Sequence, residues 1–269
     1  MAWDERVVVR DGVRLVCRDW GGDGPAVLLL HGLAGQAGEW DATAALLSPR
    51  YRVVALDQRG HGASEQRPED VSRAAYVADV VAVADELGLG APVVVGQSLG
   101  GHTAFLTAAA RPEAVRGVVL IEAGAGEPDP SVPVQLGAWL RSWPAPFRSR
   151  EMAVQYFGGG LLGEGWAGGL QERDGGWWPR FDREVLVRSL AELGSRSFVA
   201  EWERVACPAL LVLARSSFIP AQEYDTMLRL RPSTVSVCVP DTGHDLHLQR
   251  PETVAALVAD FMDGLPDSP

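Results

Sequence analysis

"VVVGQSLGGHTAF", Val93 to Phe105, decides the fold. Val93, Val94 and Val95 are a continuous apolar run, which suits a strand buried on both faces of a parallel sheet. Gly100 opens a stretch of small residues that reads as a helix through Ala110 and stops at Arg111-Pro112. Between strand and helix lies Gly96-Gln97-Ser98-Leu99-Gly100, the pattern G-x-S-x-G. Glycines at both ends let the chain turn sharply and let the helix approach the sheet. The turn lifts the Ser98 hydroxyl to the N-terminus of the helix, as a nucleophile elbow does. The bland alternative is a tight turn with an incidental serine, and the strand and helix on either side weigh against it.

The same alternation recurs on both sides of this stretch. "RVVVR" and "VRLVCRDW" are β-rich runs joined by Asp11-Gly12, a hairpin signal. "AVLLLHG", "YRVVALD", "VRGVVLIEA", "PALLVLA" and "TVSVCV" read as further strands. Helices are expected near 40–47, 72–87, 222–230 and 253–262. Strand–helix alternation of this kind means a doubly wound α/β sheet. Residues 127–203 break the pattern, being rich in Gly, Pro and Trp. Trp139, Trp143, Trp166, Trp177 and Trp178 all fall there. The expected organisation is a core of 1–126 and 204–269, with 127–203 inserted as a mostly helical cap. No internal repeat is visible.

Composition narrows the function classes. The formal net charge is −11, which speaks against nucleic acid and against an anionic membrane surface, since both need a basic face. Cys17, Cys207 and Cys238 are odd in number and lie in or beside apolar runs, without a CxxC or Cys/His cluster. No metal site is expected. No apolar run is long enough for a membrane span, and the N-terminal stretch "MAWDERVVVRDG" is not of signal-peptide type. A cytoplasmic location is expected. The sequence does not address oligomeric state.

A serine hydroxyl needs a base within hydrogen-bond reach. His244, in the Gly243-His244 turn, is the favoured candidate and His247 its rival. An acyl-transfer site also needs two backbone N–H groups for the developing oxyanion. Leu99, next to Ser98, supplies one, and Leu33, in the turn after His31-Gly32, supplies the other. His31, His61 and His102 look structural, with His102 a weaker candidate for lining the site.

"HGLAG" (31–35), "DQRGHGAS" (57–64), "GQSLGG" (96–101) and "GHDLHLQRPE" (243–252) resemble the α/β-hydrolase fold superfamily in type and order. The resemblance covers nearly the whole chain outside the insertion. It implies an eight-stranded, mostly parallel sheet with a helical cap. It also implies a Ser–acid–His triad in that chain order and no cofactor. In that family "DQRGHGAS" is a structural turn. Two departures stand out. Gln97 occupies a position where many relatives have His, Asn or Tyr, a difference of local packing. The position at which the family often carries its acid, after "LLVLA", is Ser217, which has no charge to offer.

Glu122 answers that gap. "RGVVLIEAGAG" puts its carboxylate at the C-terminal end of the strand after the elbow helix, the edge where such sheets build sites. A subset of the superfamily resembles this placement. Asp225, Asp241 and Asp245 remain competitors.

The expected activity is hydrolysis of an ester, thioester or lactone of a small, apolar-rich substrate through an acyl-enzyme on Ser98. Trp139, Trp143, Trp177 and Trp178 are expected to line its pocket, since aromatic faces give large contact area at little entropy cost. A perhydrolase, a carbon–carbon bond hydrolase, a lyase or cyclase, and a non-catalytic ligand receptor are the alternatives on the same residues.

Overall fold

The computed structural model describes residues 2–266. β1 (Asp4–Arg10) and β2 (Val13–Asp19) form an antiparallel hairpin. They are followed by β3 (Ala26–Leu30), α1 (Asp41–Leu47), β4 (Arg52–Asp57), α2 (Arg73–Glu86), β5 (Val93–Gln97), α3 (Leu99–Ala110) and β6 (Gly117–Ile121). The inserted segment contributes α4 (Ser131–Ser142), α5 (Arg150–Tyr156), α6 (Gly160–Gly168), the strands β7 (Leu170–Arg173) and β8 (Gly176–Pro179), α7 (Arg183–Ser189) and α8 (Ala191–Ser195). The chain closes with α9 (Val199–Arg204), β9 (Ala209–Ala214), α10 (Ala221–Leu230), β10 (Val235–Val239), α11 (Leu246–Gln249) and α12 (Pro251–Asp263).

Eight strands make one sheet in the order β1-β2-β4-β3-β5-β6-β9-β10. Only the β1–β2 and β2–β4 pairs are antiparallel. The sheet is therefore mostly parallel and doubly wound. Leu28 and Leu30 join Val94 and Leu120 in an apolar layer with Val80 and Val83 of α2 and Phe105 of α3. Val27 and Leu29 join Val95 and Ile121 in a second layer with Leu47 of α1 and Val258 of α12. Alternate residues of one strand thus feed two cores, which is why these strands read as unbroken apolar runs.

The chain runs from β3 to β4 on one side and returns to β5 on the other, so β3 and β5 flank the switch point of the sheet, where crevices form. Registers Leu30↔Gly96, Gln97↔Ile121 and Ile121↔Val212 bring the C-terminal ends of β3, β5, β6 and β9 into one row.

One detail differs from the sequence expectation. The insertion carries a β-hairpin among its helices. Its turn, Asp174-Gly175, has φ of 50° and 73°, like the 50° and 78° of Asp11-Gly12. Both residues lie in the left-handed region that two-residue hairpin loops require. The Asp-Gly signal was present in both places, but Gly- and Trp-rich neighbours hid the second. The end of the segment 127–203 also packs on the core. Phe198 and Trp202, on either side of the start of α9, belong to the apolar layer around Phe105, with Trp202 edge-on to Phe105 at 6.0 Å. Among the described residues no helix is long and apolar enough to cross a membrane.

Candidate active site

Three turns converge at the switch point, and each holds a non-glycine residue in the left-handed region: Ala34 (φ 62°), Ser98 (φ 49°) and Glu122 (φ 50°). Among the described residues the other non-glycine residues with positive φ are all Asp: Asp11, Asp174 and Asp241, a residue that tolerates the region. Strain at an alanine, a serine and a glutamate at one edge marks a site that the surrounding structure holds in shape.

Ser98 caps α3 and donates its backbone N–H to the Ile121 carbonyl at 2.9 Å, tying the elbow to the end of β6. The flanking glycines are sterically required. A Cβ on Gly96 would lie 2.2 Å from the Gly100 carbonyl carbon, and one on Gly100 would lie 2.3 Å from the Leu30 oxygen. Leu99 is the first residue of α3, where an N–H has no intrahelical acceptor. The turn after β3 runs alongside, since a Cβ on Gly32 would lie 3.4 Å from that of Ser98. This turn carries Leu33 and is closed by Gly35 N–H donating to the Gly32 carbonyl at 3.2 Å.

His31 anchors that turn. Gln58 donates its backbone N–H to Nε2 at 3.0 Å, and Nδ1 lies 2.7 Å from the Gly32 carbonyl. Nδ1 therefore carries the proton. Burial lowers the His31 pKa to about 4, so the ring is a neutral spacer. Arg59 forks onto Asp79, with both bonds at 2.6 Å, and Asp57 accepts the N–H groups of Ala37 and Ala63. These bonds give "DQRGHGAS" its structural role.

Glu122 has no exposed surface. Its Oε1 accepts the Ala214 N–H at 2.7 Å and its Oε2 accepts the Ser217 hydroxyl at 3.1 Å. Oε2 also faces His244 Nδ1 at 3.4 Å. That last distance is long for a charge-assisted bond, as such bonds often are before substrate tightens a site. The His244 side chain keeps 24% of its surface exposed. Its backbone carbonyl accepts from Gln97 Nε2 at 3.0 Å, and the Phe218 ring lies 5.0 Å from the imidazole. The side chain next to Ser98 thus reaches across 147 residues to hold the His244 loop.

The competing residues sit elsewhere. His247 is buried against the Trp40 ring, 3.3 Å from Glu39 Oε2. Burial lowers its pKa to about 4. Asp245 Oδ2 accepts the Trp166 indole N–H at 3.2 Å, and Asp225 and Asp241 are exposed. His61 is buried with Nδ1 on the Arg59 carbonyl. His102 is buried with its ring edge-on to Phe105 and Phe198.

Leu33, Ala34 and Leu99 share one apolar cluster with Leu140, Trp143, Phe147 and Leu186 of the insertion. Trp143 is its hub, meeting Trp139, Phe157, Trp166 and Phe181 edge-on at 4.7 to 5.7 Å. Trp177 packs against this cluster. Trp178 does not share it. Successive strand residues point to opposite faces, so the Trp178 ring lies over Arg173, with its N–H on the Arg173 carbonyl. Trp166, Gln97 and Phe218 were not expected here. Their partners are distant in sequence, and no local pattern encodes them. Among the described residues no group of three or more His, Cys, Asp or Glu side chains is arranged to hold a metal ion.

The family model described as "Alpha/beta hydrolase family" matches residues 27–257, and the chain belongs to that family. It is 27% identical over 252 residues to a 2-(acetamidomethylene)succinate hydrolase of Mesorhizobium japonicum, covering 90% of this chain and 89% of that protein. It is 27% identical over 256 residues to an sn-1-specific diacylglycerol lipase of Mus musculus, covering 90% and 80%. The crystal structure of E-2-(acetamidomethylene)succinate hydrolase superposes with a TM-score of 0.88 at 26% identity, over 97% of this chain and all of that one. With hydrolases among its relatives, the chain is an α/β-hydrolase enzyme.

Proposed function

We propose that the chain is a serine hydrolase that cleaves an ester, thioester or lactone of a small apolar substrate. Ser98 Oγ attacks the acyl carbon while His244 takes its proton. The tetrahedral oxyanion sits on the N–H groups of Leu33 and Leu99. His244 then returns the proton to the leaving oxygen or sulfur, which departs and leaves the acyl group on Ser98. Water repeats the sequence and releases the acid. Glu122 accepts the His244 Nδ1 proton in its hydrogen bond throughout, which keeps Nε2 free as the base and stabilises the imidazolium.

The observation that carries this reading is the buried Glu122 carboxylate, 3.4 Å from His244 Nδ1, at the edge where Ser98 holds its left-handed elbow. The apolar preference is supported by the ring cluster that the insertion sets beside Leu33 and Leu99, so the insertion acts as a cap. The relatives' names, a succinate-derivative hydrolase and a diacylglycerol lipase, span polar and apolar substrates and carry over the hydrolytic reaction class. Three free cysteines suit a reducing cytoplasm.

p-Nitrophenyl esters of rising chain length test the reading. Turnover is expected to rise from acetate to longer acyl chains and to vanish in Ser98→Ala. A fluorophosphonate is expected to add mass to the Ser98 peptide. Ligand binding without turnover or labelling would instead indicate a receptor.

A further inference from the structure

Ser217 stands where the family resemblance puts an acid, yet it does not stand idle. Its hydroxyl donates to Glu122 Oε2 at 3.1 Å and accepts the Ile219 N–H at 3.1 Å. The same carboxylate oxygen faces His244 Nδ1 at 3.4 Å, and the other oxygen takes the Ala214 N–H at 2.7 Å. Glu122 is shut off from solvent, so these donors take the place of water around its charge. The Tyr224 phenol of α10 is buried behind them. Its pKa is raised by burial first and then by the Glu122 charge, while the Ser217 hydroxyl opposes both.

We propose that Ser217 is a positioning residue of the catalytic machinery, whose hydroxyl fixes the Glu122 side chain and takes up part of its charge. It thereby sets how strongly the carboxylate holds the His244 N–H. The inference rests on the assignment of Glu122 and His244 in the proposed function. The geometry also accounts for the displaced acid. The 217 position lies within hydrogen-bond distance of the oxygen that faces the imidazole, so either site can serve the same nitrogen. In this chain the carboxylate comes from the turn just after β6 and a dipole comes from the loop after β9. The other ionisable groups around the pair are Tyr224 and Glu223 on α10, Asp245 beside His244, and His247 on α11, whose imidazole senses that of His244. A substitution at 217 changes the surroundings of Tyr224, which loses the Ser217 hydroxyl, and leaves the identities of all four groups as they are.

Removing the hydroxyl leaves more charge on the oxygen that faces His244. The imidazolium is then better stabilised and the imidazole holds its proton to higher pH. In Ser217→Ala the His244 NMR titration, assigned by its loss in His244→Gln, is expected to move up by about half a pH unit, with the acid limb of kcat/KM moving alike. kcat is expected to fall roughly three- to tenfold through lost orientation, and Ser217→Thr restores both. A merely structural serine would leave the titration in place. In a second arm, Ser217→Asp is introduced into Glu122→Ala, where it is expected to recover at least about tenfold of the lost turnover by supplying a carboxylate to the same nitrogen. An unmoved His244 titration in folded Ser217→Ala, or no recovery in the double variant, overturns the proposal. The NMR arm needs no substrate. Failure of wild-type turnover would therefore count against the proposed function alone, while the titration still decides the role of Ser217.

Discussion

Replacing Glu122 by glutamine preserves shape and removes charge, and the hydrogen bonds around it fix the outcome. The Ala214 N–H, 2.7 Å from Oε1, belongs to β9 and cannot turn away. The amide oxygen of Glu122→Gln must accept it, which points the amide NH2 at Ser217 Oγ and His244 Nδ1. A serine hydroxyl can rotate and accept. The imidazole can accept at Nδ1 only by carrying its proton on Nε2, which is then no base for Ser98. The imidazolium also loses its counter-charge. A serine protease that suffers the same wrong tautomer loses about 10⁴ in kcat; here we expect a fall of about 10³ to 10⁴, or roughly 4 to 5.5 kcal/mol of barrier. KM should change little, because no binding contact is removed. Stability should stay within about 2 kcal/mol, since each former donor keeps a polar neighbour. Stopped-flow hydrolysis of a p-nitrophenyl ester, with a thermal melt to check folding, gives both numbers. Activity within tenfold of wild type would refute the reasoning, most sharply if Asp245→Asn or Asp225→Asn were inactive instead.

Other outcomes follow from single contacts. Gln97→Leu removes the donor to the His244 carbonyl, and fluorophosphonate labelling of Ser98 should slow by about tenfold as the base loses its support. Trp166→Phe keeps a ring in the cluster but loses the N–H on Asp245; kcat/KM should drop about two- to tenfold, the worth of one hydrogen bond, and no change would detach the cap from the His244 loop. Burial holds His31, His61, His102 and His247 neutral, with the pKa of His102 lowered well below 6.5 and those of His31, His61 and His247 lowered to about 4, about 3 and about 4. Below pH 6.5 the unfolded chain binds protons that these rings refuse, so their contribution is complete above pH 6.5 and is lost as pH falls towards 4. Buried Glu39, whose pKa is raised well above 4.5 by burial and then by Asp245, contributes with the opposite sign and offsets one proton of the four. The Tm should therefore fall between pH 6.5 and 4.5 in calorimetry, and a Tm flat across that window would contradict the linkage.

The strands around Ser98 were legible because a doubly covered parallel strand must be apolar at every position, as Val93–Val95 and Leu28–Leu30 are. The elbow was legible because its two glycines are forced by contacts under 2.5 Å, so a local pattern encodes a local constraint. Glu122 was readable as a carboxylate at a strand end, and Ser217 as a gap. Their hydrogen bond was not, because it joins residues 95 apart. The same holds for Gln97 on His244 and Trp166 on Asp245. The tryptophans show the limit most plainly. Composition points to an aromatic cap, but the face of β8 separates Trp177 from Trp178, and which face is inward depends on a hairpin whose strands carry no apolar alternation.

With Glu122 as the proposed acid, the carboxylate stands in the turn just after β6 and not in the loop after β9. A carboxylate whose backbone N–H sits on Val212 and whose Oε1 sits on Ala214 is braced by the neighbouring strand. The loop after β9 then no longer has to preserve a charge at a fixed point. That loop contributes the Ser217 hydroxyl to Glu122 and sets the exposed Phe218 ring beside His244. On that assignment the chemistry and the mouth of the site draw on separate pieces of chain, so a substitution at Phe218 can alter access without touching the carboxylate.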